Sequence, residues 1–167
     1  MDSTINEKRA RELIESQGFY VNSITKIKEG NKHDLFDVIF DDGKEIVARF
    51  RKQNLRGYSV DVDWDFQGTT SLEREKSLCS QVRMKSGLPA PETIGLYKTQ
   101  DAEFLLAEKM PGKLWHTFLK DTNYSLERYL HSLENLGEDL AKLHNIKFNS
   151  FGDIIGENNI FPHGIFN

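Results

Sequence analysis

The chain has one cysteine, Cys79, and four prolines in 167 residues. A lone thiol excludes an internal disulfide, and no second Cys or neighbouring His stands at a metal-ligand spacing from it. A reducing compartment fits, and a cytoplasmic location is expected. No apolar run approaches the ~18 residues of a membrane span. The amino terminus, Met1-Asp2-Ser3-Thr4, lacks the basic and apolar regions of a signal peptide. Charge of either sign forms no block: 22 Lys and Arg accompany 26 Asp and Glu, for a net charge of -4. Neither nucleic acid nor a membrane surface is therefore an expected partner. Internal repeats and low-complexity tracts are also missing.

What is present is an apolar fraction of 38%, enough for a buried core. Thr4 and Glu7 have the form of a capping box opening a helix that Gly18 stops. Its face of Ile5, Leu13 and Ile14 is modest, which predicts an outer helix with a packing role. Short runs rich in β-branched and aromatic residues predict strands over Val21 to Ile27, Leu35 to Phe40 and Glu45 to Phe50. Asp41-Asp42-Gly43-Lys44 joins the last two, and its Asp-Gly pair supplies the positive φ of a tight hairpin. Gln53 to Gly68 keeps neither periodicity and is read as a long loop. A second capping box, Thr70 and Glu73, opens a helix that runs towards Ser86 and is ended by Gly87, Pro89 and Pro91. Two more strands follow, Thr93 to Lys98 and Glu103 to Met110. After Pro111-Gly112, a Ser125 cap leads a helix to His144, with Leu126, Leu130, Leu133, Leu136, Leu140 and Leu143 on a wide apolar face. Residues 149–167 close no recognisable element. The order predicts an α+β chain: an antiparallel sheet of about five strands with one packed helix, then the start of a helical region.

Two charges interrupt apolar surfaces. Arg49 shares a strand face with Val47, while Ile46, Ala48 and Phe50 point the other way. Glu75 shares a helix face with Leu72, Cys79 and Val82. An unpaired charge in either place costs several kcal/mol, so the two either meet or are separate and partly exposed.

Gly68-Thr69-Thr70-Ser71-Leu72-Glu73-Arg74-Glu75-Lys76, with Gly87-Leu88-Pro89-Ala90-Pro91 after it, resembles the helix and exit strand of the aminoglycoside phosphotransferase and choline kinase-like family, which has a protein-kinase-like fold. Val47-Ala48-Arg49 resembles that family's nucleotide-anchoring strand, and Leu136 through His144 its helix ending in Leu-His. The resemblance implies a nucleotide-binding amino-terminal lobe over residues 1–110, with a connector and partial helical lobe over 111–167. It implies ATP or GTP as cofactor, with magnesium in a complete member, and a small hydroxylated acceptor such as an aminoglycoside. By the same resemblance Arg49 contacts phosphates, Glu75 orients it and Val47 packs on the base. Gly30, Asn31, Lys32 and His33, with Asp34 beyond, stand where a loop covers the phosphates; read alone they are an ordinary turn. Glu108-Lys109-Met110 is either the connector that pairs with the base or an edge strand.

The catalytic residues of that family are not found. Its His-Gly-Asp motif has its nearest echo in His163-Gly164-Ile165, with isoleucine at the aspartate position, and no magnesium ligand follows. The expectation is the nucleotide-binding portion of a phosphotransferase, truncated and inactive alone, or else a shortened module that binds nucleotide or protein without chemistry. Whether it is an enzyme stays open. Asp61, Asp63 and Asp65 lack the glycine and terminal Glu of a calcium loop. His33, His116, His131, His144 and His163 show no ligand spacing, so no metal site is expected. Trp115 and Phe118 either line a cleft or pack on the long helix. The apolar face over Ser125 to His144 leads to an expectation of self-association.

Overall fold

A computed structural model describes residues 5–27, 33–51, 72–112, 125–147, 152–155 and 159–162. They form an α+β fold with helices α1 (Glu7–Glu15), α2 (Leu72–Ser86) and α3 (Leu126–His144). Strands β1 (Val21–Ile27), β2 (His33–Phe40), β3 (Glu45–Arg51), β4 (Thr93–Lys98) and β5 (Glu103–Glu108) build one sheet in the order β1-β2-β3-β5-β4. Every neighbouring pair in it is antiparallel.

The β2–β3 hairpin turns at Gly43, whose φ of 83° only glycine adopts without strain. Asp42 Oδ1 accepts the Lys44 N–H at 2.9 Å and steadies the turn. Beyond it the alternation is strict. Phe36, Val38 and Phe40 of β2, Ile46, Ala48 and Phe50 of β3, and Phe104 and Leu106 of β5 are buried on one face. A row of aromatic rings crosses four strands there. Phe36 meets Phe50 edge-on at 5.5 Å, Phe50 stacks on Phe104 at 4.8 Å, and Phe104 stacks on Tyr97 at 5.2 Å. Such pairs contribute roughly 0.5–1.5 kcal/mol each beyond the area they bury.

Helix α1 joins this core. Ala10, Leu13 and Ile14 are all buried in the same cluster, so the helix is an integral wall of the core rather than an outer element. The small Ala10 completes a face that an inventory of large apolar residues leaves incomplete. Its cap also differs from the expected box. Asn6 is the N-cap and accepts the Arg9 N–H at 2.9 Å, while Glu7 Oε1 accepts the Lys26 N–H of β1 at 2.8 Å. Glu7 thus ties the helix to the sheet.

Asp34 is buried at 3% exposure and fastens the same corner. Its carboxylate accepts the Ile5 N–H at 3.0 Å and lies 2.8 Å from Lys26 Nζ. His33 and Asp34 are the first residues of β2, with His33 opposite Arg51, and not part of a loop as the sequence led us to expect. Cross-strand pairing with β3 extends the strand two residues earlier.

Helix α2 lies against β4 and β5. Its buried residues are Leu72, Ser77 and Gln81, while Leu78 and Met84 are exposed, so the face it turns inward is more polar than the stripe of Leu72, Glu75, Cys79 and Val82 suggested. Gln81 Oε1 has no hydrogen-bond partner among the described residues. β5 stops at Glu108 rather than Met110, just before Pro111. A second antiparallel pair, β6 (Gly152–Ile155) and β7 (Asn159–Pro162), occupies a tail in which no element was expected. Thr4, Thr70, the run from Gln53 to Gly68, Trp115, Phe118 and His163 lie outside the described residues.

A side chain at position 95 would overlap the Tyr97 ring, which folds over Gly95 from two residues along β4. Gly95→Ala should therefore displace Tyr97 from Phe104 and destabilise the fold by about 1–3 kcal/mol. Phe50→Ala, which removes the middle of the aromatic row, should cost about 3–5 kcal/mol. Urea denaturation of both variants against the parent checks the order: Gly95→Ala milder than Phe50→Ala.

Candidate functional site

The second face of the sheet is only partly covered. Alternation places Leu35, Asp37, Val47, Arg49, Arg51, Glu103, Leu105 and Ala107 on it, opposite the aromatic row. Val47 pairs with Asp37 on one side and Ala107 on the other; Arg49 pairs with Leu35 and Leu105. Helix α2 covers the β5 side, and Val47 and Arg49 remain half-exposed beyond it.

Arg49 and Glu75 meet. Arg49 Nη1 lies 3.0 Å from Glu75 Oε1 and 3.2 Å from Oε2, with the side chains 36% and 26% exposed. A second strand cation is held beside it, Arg51 Nη1 to Glu103 Oε2 at 3.2 Å. Lys98 of β4 lies 3.6 Å from both Glu103 and Glu73. The two acidic residues in the first turn of α2 thus reach two different strands, Glu75 to β3 and Glu73 to β4.

At the other end of the face Lys109 Nζ donates to Asp37 Oδ2 and to Glu45 Oε2, both at 2.9 Å. These hydrogen bonds, Asp37 first and Glu45 second, raise the Lys109 ammonium above its ordinary value. The contribution is present at neutral pH and is lost only as alkali carries the pH through the raised value. Glu45 and Arg49 are four positions apart on β3, so the two charged clusters stand roughly 13 Å apart with Val47 between them.

Glu108, Lys109 and Met110 lie at the end of β5. Glu108 is still in β5, its N–H donates to Glu92 O at 2.8 Å, and its carboxylate takes Arg83 Nη1 at 3.5 Å. Its amide is therefore committed to protein. Lys109 and Met110 follow the strand. Gly30, Asn31 and Lys32 lie outside the described residues. A groove of about 370 Å³ opens between α2 and β4, lined by Glu73, Ser77, Arg83, Pro91, Thr93 and Leu96 among others. It includes neither Arg49 nor Val47. Among the described residues no group of three His, Cys, Asp or Glu could hold a metal ion. Among them, too, no helix is long and apolar enough to cross a membrane.

One residue at the site was given no role by the sequence. Cys79 is one turn beyond Glu75 on α2, half-buried, and feels both partners of the ion pair. Burial raises the thiol above its ordinary value, Glu75 raises it further, and Arg49 opposes both.

No family model matches the chain. It is similar to proteins named Altered inheritance of mitochondria protein 9, mitochondrial. The Candida albicans (strain SC5314) protein is 25% identical over 142 residues, which are 80% of this chain and 22% of the relative. That of Candida tropicalis is 23% identical over the same length, and that of Clavispora lusitaniae 23% over 150 residues, 86% of this chain and 24% of the relative. The chain thus spans about a fifth to a quarter of the length of these curated relatives. Their names speak of mitochondria, and not of phosphotransfer, kinases or antibiotic resistance. This overturns two expectations from the sequence: that of a small-molecule phosphotransferase portion, and that of a cytoplasmic protein.

The proximity of Cys79 to the pair gives a direct readout of it. Glu75→Gln removes an anionic neighbour and should lower the thiol's pKa, speeding alkylation by iodoacetamide at pH 8. Arg49→Gln removes the cation and should slow it. Equal rates in both variants would show that the ion pair is not formed beside Cys79 in solution.

Proposed function

We propose that this chain is a phosphate-gripping lobe of a longer mitochondrial protein, kinase-like in fold, in which Arg49 receives the phosphate groups of a nucleotide, ATP or GTP. The observation that carries the reading is the 3.0 Å contact between Arg49 and Glu75. It supports a guanidinium held in a fixed place yet left part-exposed. Both contacts to Glu75 run through Nη1, so Nε and Nη2 lie outside this ion pair. A guanidinium keeps its charge at any physiological pH and carries five donors, which suits it to phosphate oxygens.

The surroundings support the same use. Val47 supplies an apolar floor next to the cation, and Arg51 adds a second positive group two residues on. A base lying over Val47 would put its phosphates towards Arg49. The sheet order, with a glutamate from the packed helix meeting the cation of the third strand, supports the kinase-like lobe that the resemblance implies. The mitochondrial setting rests on the names of the relatives. Binding alone is proposed; no group transfer is derived from these residues.

Titration of the purified chain with ATP, GTP, tripolyphosphate and adenosine, followed by thermal unfolding, tests the reading. A ligand at a hundred times its Kd should stabilise the fold by about 2.7 kcal/mol. ATP, GTP and tripolyphosphate should all stabilise, adenosine little, and Arg49→Gln should weaken the first three at least tenfold. No stabilisation by any phosphate-bearing ligand, or stabilisation indifferent to Arg49→Gln, would sink the proposal.

A further inference from the structure

Strand β3 carries a second guanidinium on the face that holds Arg49. Val47, Arg49 and Arg51 alternate with the buried Ile46, Ala48 and Phe50, so all three rise from the same side of the sheet. Arg51 is 40% exposed and meets Glu103 Oε2 at 3.2 Å through Nη1, as Arg49 meets Glu75 through its own Nη1. In both pairs the donors on Nε and Nη2 lie outside the ion pair. The carboxylates come from different elements, Glu75 from α2 and Glu103 from β5, and α2 itself lies against β4 and β5.

Glu103 is well placed to hold Arg51. Its side chain is 18% exposed, and its other oxygen, Oε1, lies 3.6 Å from Lys98 Nζ. Phe50 faces Phe104, and one step further along the same ladder puts Arg51 beside Glu103. Around these residues Arg49, Arg51 and Lys98 are matched by Glu75, Glu103 and Glu73. With no surplus charge, the cluster draws no anion from a distance. What it offers is charged donors in fixed places, which act at contact.

Spacing then selects the ligand. Positions 49 and 51 stand about 7 Å apart along an antiparallel strand. A lone phosphate spans that gap only by drawing one guanidinium away from its carboxylate, whereas two or three phosphates in a chain meet both where they stand. We therefore infer, resting on the reading of Arg49 as the cation that receives phosphate, that Arg51 is a second phosphate contact. The ligand carries linked phosphates laid along β3, with the base over Val47, the nearer phosphates at Arg49 and the terminal one at Arg51. A nucleoside di- or triphosphate is thus preferred to the monophosphate.

Calorimetric titration of the full chain with the sodium salts of AMP, ADP and ATP in magnesium-free buffer tests this. ATP should bind at least about tenfold more tightly than AMP, with ADP between them. Arg51→Gln should bring ATP and AMP within about threefold of each other by weakening ATP and leaving AMP unchanged, and Arg51→Lys should keep part of the preference. Glu103→Gln breaks the same ion pair but keeps the cation, so ATP should stay ahead of AMP; levelling of the two by Glu103→Gln as well would make Arg51 a structural residue and overturn the inference. Binding of none of the three nucleotides would remove the reading of Arg49 and this inference with it. AMP binding that is lost in Arg49→Gln, together with ATP no tighter than AMP in the parent or a preference for ATP untouched by Arg51→Gln, would overturn this inference alone.

Discussion

Strand β5 is buried on both faces, and this imposes most of what surrounds it. Phe104 and Leu106 are fully buried on one side, Leu105 and Ala107 nearly so on the other. A strand with no solvent face must have cover above and below. Helix α1 closes the first side through Ala10, Leu13 and Ile14, and α2 closes the second through Leu72, Ser77 and Gln81. Among the described residues, cover on the second side ends where α2 ends. The half-open floor around Val47 and Arg49 is what remains, so the place of the candidate site follows from the width of one helix on a five-stranded sheet.

Polar groups then fasten the covers. Asp34 joins the start of α1 to β1 and β2 by accepting the Ile5 N–H and pairing with Lys26, and Arg9 reaches Asp101 at the β4–β5 turn. On the other side Glu75 and Glu73 bind α2 to β3 and β4. A buried carboxylate such as Asp34 is tolerable only because a cation and a backbone amide both meet it.

The parts of this arrangement that were legible in the sequence are those fixed by local patterns. Asp42-Gly43 marks its hairpin, strict alternation marks β2 and β3, and Ser125 marks the start of α3, all within a residue or two of where they stand. Arg49 and Glu75 were legible because each breaks an apolar pattern, and their meeting, implied by the resemblance, is seen in the fold. The rest depended on long-range contacts. Asp34 follows a polar run and looked like a turn residue, whereas its burial is decided by Ile5, 29 positions away. Ser77 and Gln81 are buried through the angle at which α2 lies on β4 and β5, which apolar spacing does not report. The β6–β7 pair sits among glycines and asparagines whose composition favours turns.

The Arg49–Glu75 pair is a poor device for stability. With a third of the Arg49 side chain and a quarter of Glu75 in contact with solvent, a pair of this kind contributes on the order of 0–1 kcal/mol. A leucine at position 49, between Leu35 and Leu105, would stabilise by about 1.5–3 kcal/mol if it were fully covered. Position 49 is only partly covered, so a leucine there would realise only part of that stabilisation. Glu75 does not neutralise that cation by burial; it fixes its position while leaving much of it in water. Lys109 behaves differently at the other end of the same face, since two carboxylates, Asp37 and Glu45, enclose its single ammonium. One strand face thus holds a lysine with its charge answered twice and an arginine that meets its carboxylate through one nitrogen, Nη1. The cluster about Lys109 therefore carries one more carboxylate than cation, whereas Arg49 has one carboxylate for its one guanidinium.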